Sequence, residues 1–370
     1  MKMKKAVALS TVIGVALAGI AFAGSASAEP VSNSYVLVGS DTLQDSTNAL
    51  LNGTTVTGPS VRVLSASASS IGSFDAFGSS AIQTKSAGPF FGRPAGSGAG
   101  VTALRASITG VAYTGNTAIP AKVITGQVDI ARSSSGPGAN ANAAGKLVYV
   151  PYARDAVAYA YKGGDAAWAN ITGAQLKQIY DGTLTTFDGL PIHPRLPQTG
   201  SGTRNFFLPA IGYAPGTTVA PGVSDVGNTT AENDATVLAD GDIIPFSVAS
   251  WVAQANGVTG VNTTTTASVA LGTPVTGTVP FTGTAPALVP NSAYYANASF
   301  GRDTYLVVEY ARINSADAGY DAGLAALVDP TVATSLTSFG SFASTPGAVK
   351  KKFGFLAPST TTAQRAFATL

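Results

Sequence analysis

The stretch that decides the fold is Ser34–Leu51, SYVLVGSDTLQDSTNALL. Its first five residues, Ser34–Val38, read as a short buried strand. Gly39-Ser40-Asp41-Thr42 breaks the strand, and Leu43–Leu51 carries helical spacing. Strand, glycine–hydroxyl loop and helix thus follow one another within eighteen residues. Similar signals recur further along the chain. Val128–Ala131 is strand-like and leads into Arg132-Ser133-Ser134-Ser135. Gly96-Ser97-Gly98-Ala99-Gly100 precedes a helix expected over Val101–Ile108, and Gly200-Ser201-Gly202-Thr203 precedes one over Arg204–Leu208. Strands alternating with helices predict an α/β fold with mainly parallel or mixed sheets.

The remaining segments fit that class. Val61–Leu64 is expected as a strand, and Lys146–Val150 and Ala156–Tyr161 as two strands around Pro151. Thr172 is placed to cap a helix over Gly173–Tyr180 that Asp181-Gly182 ends. Glu232–Leu238, Asp321–Val328 and Ala348–Phe353 read as helices, Ile243–Phe246 and Tyr305–Glu309 as strands. Thr263–Pro280 is rich in Thr, Val and Gly and reads as a β-ribbon or surface loop. No internal repeat is found.

Composition removes much chemistry. The 370 residues contain no Cys and one His, His193, which excludes disulfides, thiol nucleophiles, Cys-zinc and His-rich metal sites. No cofactor and no metal are expected. Lys2, Lys4 and Lys5, an apolar run from Ala6 to Ala23 and the ending Ala26-Ser27-Ala28 have the order of a secretory signal, with cleavage expected after Ala28. The formal charge of +2 then becomes −1, since 18 basic and 19 acidic residues remain after three lysines leave. That balance gives no reason to expect a nucleic-acid partner. An extracytoplasmic protein, periplasmic or secreted, is expected.

The four glycine–hydroxyl loops share a specific chemistry. A helix start presents unpaired N–H groups and partial positive charge. Glycine lets a ligand approach the backbone, and Ser and Thr add hydroxyl donors. Together they suit an anion, which an arginine can clamp. Micromolar binding needs roughly −8 kcal/mol. A hydrogen bond to a charged group contributes roughly 1.5–3 kcal/mol, so a handful of such donors suffices without a basic surface.

These loops, together with Ile171–Gly182, Ser201-Gly202-Thr203 and Ser299–Asp303, resemble in order the phosphate-binding, PstS-like substrate-binding proteins of ABC transporters. The resemblance implies a two-lobed, type II periplasmic-binding-protein fold, with mixed sheets flanked by helices and the ligand in the interlobe cleft. It places residues 29–152 with 301–370 in one lobe and 153–300 in a second, inserted lobe, with crossings near Pro151–Arg154 and Ser299–Asp303. It implies a monomeric receptor, not an enzyme, that captures inorganic phosphate and delivers it to the permease subunits of an ABC importer. The implied phosphate residues are Ser40, Asp41, Thr42, Ser97, Gly98, Arg132, Ser133, Ser134, Arg195, Ser201, Gly202, Thr203 and Arg204.

Two departures stand out. The family's proton-accepting carboxylate follows the serine of the third loop, where this chain has Ser134. Asp41 can take that role, accepting from phosphate and repelling sulfate, or it can simply cap the following helix. The family's arginine lies a few residues before the Ser-Gly-Thr loop, where this chain has Pro197 and Gln198. Arg204 and Arg132 lie directly beside anion loops, Arg195 six residues before Ser201, and Arg93 near the second loop. Other readings are a secreted phosphoester hydrolase and another secreted anion-binding or adhesion protein. Against the hydrolase, no Gly-x-Ser-x-Gly or Walker A pattern is present, and His193 lies between prolines in a loop.

Overall fold

A computed structural model describes residues 31–32, 34–65, 71–115, 118–214, 219, 223, 230–266 and 268–367. The expected signal segment and the expected cleavage site after Ala28 lie outside them. Among the described residues no helix is long and apolar enough to cross a membrane.

The main sheet runs from Gly72–Ser73 through Val36–Gly39, Ile130–Ser133, Gly301–Glu309, Leu147–Lys162 and Asp242–Ser247 to His193–Pro194. Val269–Gly272 and Gln364–Ala366 also pair with Leu147–Lys162. Val36–Gly39 is parallel to both its neighbours, whereas Gly301–Glu309 is antiparallel to both of its own, so the sheet is mixed.

Alternation of side chains explains how the sheet is covered. Leu37, Val148, Val150, Leu306 and Val308 enter one core, with Leu50, Leu324 and Val349 from helices Gln44–Asn52, Ala322–Val328 and Pro346–Lys352. Their neighbours Val36, Val38, Tyr149 and Val307 enter the opposite core, with Ala103 and Leu104 of helix Ser97–Thr109. Both faces are buried, which is why these strands read as continuous apolar runs. A separate core uses Ala156–Tyr161, Ile243, Ile244 and Phe246 with helices Gly173–Tyr180, Gly202–Ala210 and Val248–Ala255. Each fully buried Leu, Ile or Phe in these cores contributes roughly 1.5–3 kcal/mol. The architecture is a two-lobed mixed α/β fold.

Leu147–Lys162 and Gly301–Glu309 run from one set of cores to the other. At the crossing, Asp155 stands opposite Arg302 and Arg154 opposite Asp303. Both pairs form ion pairs, at 2.8 and 3.2 Å.

Several sequence expectations are corrected here. Lys146–Val150 and Ala156–Tyr161 are not two strands around Pro151 but parts of one strand that passes through it. The register shifts there, with Tyr305 opposite Pro151 and Thr304 opposite Ala153. A bulge tolerates the missing proline N–H. Val61–Leu64 makes only a bridge between Val61 and Thr54. Glu232–Leu238 is not a helix: Glu232 sits in a turn, and only Ala235–Val237 winds into a short 3-10 segment capped by Asp234. Helices beginning at Ser97 and Gly202 start earlier than expected, which puts both loops within the first helical turn. The Gly173–Tyr180 helix has the expected Thr172 cap, completed as a capping box by Gln175.

Candidate anion-binding site

Close backbone packing brings the loops together. Gly39, with φ of 110°, ends the opening strand; a Cβ there would lie 2.6 Å from the Arg132 carbonyl oxygen. A Cβ on Gly100 would lie 2.6 Å from Gly39 Cα, so helix Ser97–Thr109 begins against the strand end. Ser134 N–H donates to Ser97 Oγ at 3.0 Å, and the two hydroxyls lie 3.1 Å apart. The fourth loop closes on them from the other side. Gly98 N–H donates to the Gly200 carbonyl at 3.0 Å, and a side chain at Gly202 would collide with Ser97 Oγ and Ser134 Oγ.

At this junction lies the carboxylate of Glu232, fully buried. Oε1 accepts from Ser40 Oγ at 3.4 Å and Thr42 Oγ1 at 3.5 Å. Oε2 accepts from Ser201 Oγ and from the Thr203 amide, the latter at 3.0 Å. Hydroxyls and an amide from two loops distant in sequence thus converge on one oxyanion. Asp41 lies alongside, its Oδ2 accepting from Glu232 N–H at 3.3 Å. Its Oδ1 is closed off from solvent and has no hydrogen-bond partner among the described residues.

The two buried carboxyls are shifted in opposite directions. Burial, then the Glu232 charge, pushes the Asp41 carboxyl well above the usual carboxylate range. Burial also raises Glu232, but the neighbouring Asp41 carboxyl, the Ser201 hydroxyl, the Arg302 charge and the Thr203 amide outweigh it and hold Glu232 below its ordinary value. Of the two carboxyls, Asp41 is thus the one pushed towards its neutral form and Glu232 the one held towards its charged form.

Arg302 supplies the positive charge. It is 3% exposed, and its Nη2 reaches Asp155 at 2.8 Å and Thr203 Oγ1 at 2.9 Å. Asp155 also accepts from Ser247 Oγ and from the Ala249 amide, which fixes the start of helix Val248–Ala255. Nη1 of Arg302 is buried without a hydrogen-bond partner among the described residues. Through Thr203, whose amide donates to Glu232, the guanidinium is tied to the carboxylate site.

A PBP superfamily domain matches residues 53–327. The chain belongs to the PBP superfamily. Similar solved structures include an ABC-type phosphate transport receptor from Vibrio cholerae, 15% identical, covering 88% of this chain and 100% of that one with a TM-score of 0.48. A phosphate-binding protein from Stenotrophomonas maltophilia is 16% identical, covering 89% and 91%, with a TM-score of 0.45. PstS from Borrelia burgdorferi is 14% identical, covering 88% and 99%, with a TM-score of 0.41. No curated protein matches.

In this PBP-superfamily chain, Ser40, Asp41, Thr42, Ser97, Ser134, Ser201, Gly202 and Thr203 meet at the junction. Asp41 is not a side-chain cap: helix Gln44–Asn52 starts at Leu43 without a side-chain cap bond. Gly98 lies there too, but its amide is engaged by Gly200. Ser133 turns to its own loop, donating to the Ser135 carbonyl at 2.7 Å. The arginines considered from sequence each have protein partners. Arg132 donates to the Ser40 and Phe74 carbonyls and to Ser73 Oγ. Arg195 pairs with Asp242, Arg204 donates to the Pro197 carbonyl, and Arg93 to Ser79 and the Asp75 carbonyl. Sequence reasoning missed Glu232 and Arg302. Gly301-Arg302-Asp303 lay within a matched segment, and its mirror at Arg154-Asp155 was the available signal; nothing local marked Glu232.

Proposed function

We propose that this protein is an extracytoplasmic receptor that captures inorganic phosphate between its lobes and delivers it to the permease subunits of an ABC importer. The observation that carries this reading is the convergence of Ser40, Thr42 and Ser201 hydroxyls and the Thr203 amide on one oxyanion, beside the unpartnered Nη1 of Arg302. Neutral donors with one guanidinium suit an anion of this size and leave the surface near neutral overall. We assign the donors to Ser40, Thr42, Ser97, Ser134, Ser201, Thr203 and Arg302. Of the two protons on Ser97 and Ser134, one serves their mutual bond and one remains for the ligand. Asp41 is assigned as acceptor of the phosphate proton, which sulfate lacks at neutral pH. The lobe divisions fall at 152/153 and 300/301, a placement supported by the change of core between Ala153 and Ala156 and between Phe300 and Tyr305. The protein is taken to act as a monomer that binds without reacting.

Calorimetry of phosphate-stripped protein against phosphate, sulfate and arsenate tests the reading. Heat with phosphate and arsenate but not sulfate is expected; no heat with any anion would remove it. A hydrolase would use His193, whose side chain is 60% exposed and lies 3.6 Å from Asp242 at the sheet edge. His193→Asn is expected to leave phosphate binding unchanged in the same calorimetric assay.

A further inference from the structure

The group now sitting in the anion seat belongs to the protein itself. Resting on the phosphate reading above, we propose that Glu232 is a tethered occupant of that seat, a carboxylate that must leave before phosphate enters and that thereby sets the receptor's affinity. The donors are the first argument. Ser40 Oγ, Thr42 Oγ1, Ser201 Oγ and the Thr203 amide each carry one proton to donate, and all four point to Glu232. A carboxylate has about four lone-pair positions, and here two donors meet each oxygen. Glu232 and an external anion cannot use these protons together, so their occupancies are mutually exclusive.

The fit of the carboxylate is the second argument. Its Oε2 contacts are close, but the Oε1 contacts are stretched to 3.4 and 3.5 Å. It leaves Arg302 Nη1 without a hydrogen-bond partner among the described residues, and the Ser97 and Ser134 hydroxyls bond to each other. Two coplanar oxygens underfill a seat whose donors come from several directions. A tetrahedral anion carries four oxygens and can answer the donors that Glu232 leaves aside.

The third argument is the route out. Glu232 lies in a turn rather than in a helix or strand, and the capped segment begins only at Asp234. A turn can withdraw the side chain without breaking a ladder or a helix. Asp41 follows from the same exchange. It lies alongside, its Oδ2 3.3 Å from the Glu232 amide nitrogen, and can accept from a ligand hydroxyl that takes the place of the Glu232 side chain.

A seat open only part of the time lowers apparent affinity by the open fraction. Removing the occupant therefore tightens binding. The test compares wild type, Glu232→Gln and Glu232→Ala by calorimetry with inorganic phosphate, and by thermal melting with and without acetate. Both variants are expected to bind phosphate roughly tenfold tighter or more, as an open fraction of about one tenth or less requires. Acetate is expected to raise the melting temperature of Glu232→Ala, by refilling the seat, and to leave wild type unmoved. Equal or weaker phosphate binding in both variants overturns the proposal, as does a melting temperature of Glu232→Ala that acetate does not raise. Should Glu232→Ala fail to fold, Glu232→Gln keeps the shape while losing the charge, and its phosphate affinity decides. Acetate rescue with no phosphate heat in any of the three proteins supports the occupant and removes the phosphate reading instead.

Discussion

Arg132 and Arg302 are both buried guanidiniums beside the same four loops, yet the protein uses them in opposite ways. Arg132 immediately precedes the third loop and is directed backwards, onto the Ser40 and Phe74 carbonyls and Ser73 Oγ. Burial pulls its pKa down to about 10, so it stays charged at neutral pH. It holds the first-lobe loops in shape. Arg302 is far from every loop in sequence but comes in on the crossing strand, with one nitrogen on Asp155 and Thr203 and another unpartnered. Adjacency along the chain supplied the scaffold, and adjacency across the ladder supplied the guanidinium proposed as the donor.

Substitutions can break that contrast. Arg132→Met should have the largest effect, since it strands buried acceptors and removes several charge-assisted bonds; a loss of about 3 kcal/mol or more in unfolding free energy is expected by urea denaturation. The protein that remains folded should keep its phosphate affinity, and a parallel collapse of affinity would erase the distinction. Arg302→Lys should act mainly on binding. An ammonium cannot serve Asp155, Thr203 and an anion with a rigid fork, so phosphate affinity should fall roughly tenfold to a hundredfold, the equivalent of about 1.5–3 kcal/mol. Calorimetry showing unchanged affinity would move the donor role away from Arg302. Gly202→Ala pushes the Ser97 and Ser134 hydroxyls aside; serine side chains can swing, so a loss near 1 kcal/mol, roughly fivefold in affinity, is expected.

The smallest effect concerns the Asp41 carboxyl. Asp41 has its pKa raised by burial and by Glu232. Its contribution to stability is therefore full below the ordinary aspartate value, about 3.9, and is lost as pH rises through the raised one. Glu232, held low, has the opposite sign and loses its contribution only as acid titrates it below its ordinary value. Asp41→Asn needs no proton, so its unfolding free energy should decline less than that of wild type as pH rises above the ordinary aspartate value. Matching slopes in denaturation at several pH values would place the proton elsewhere.

Much of the fold was legible because its signals are local. The Val36–Val38 run, the glycine at position 39 and the Thr172–Gln175 capping box each act within a few residues, and helices and strands formed where they pointed. Pro151 misled because a bulge, which depends on the partner strand, decides whether a strand survives a proline. The site was half legible. Hydroxyls beside glycines at helix starts announce anion chemistry, and Ser40, Thr42, Ser97, Ser134, Ser201 and Thr203 do meet. Glu232 was hidden because its neighbours Asn233 and Asp234 look like an ordinary cap, and its partners lie 190 and 192 residues away in the first loop and 29 and 31 away in the fourth. Arg302 was hidden because its role depends on standing opposite Asp155.

The crossing has one more consequence. Arg154-Asp155 on one strand faces Arg302-Asp303 on the other, each base opposite an acid. Slide one strand by a residue in one direction and Arg302 faces Arg154; slide it the other way and Asp303 faces Asp155. Either misalignment buries like charges side by side, which a low-dielectric interior penalises heavily, and also turns every apolar side chain to the wrong face. Four residues thus work as a key cut for a single alignment, at the one place where an error would displace both lobes and every loop of the site together.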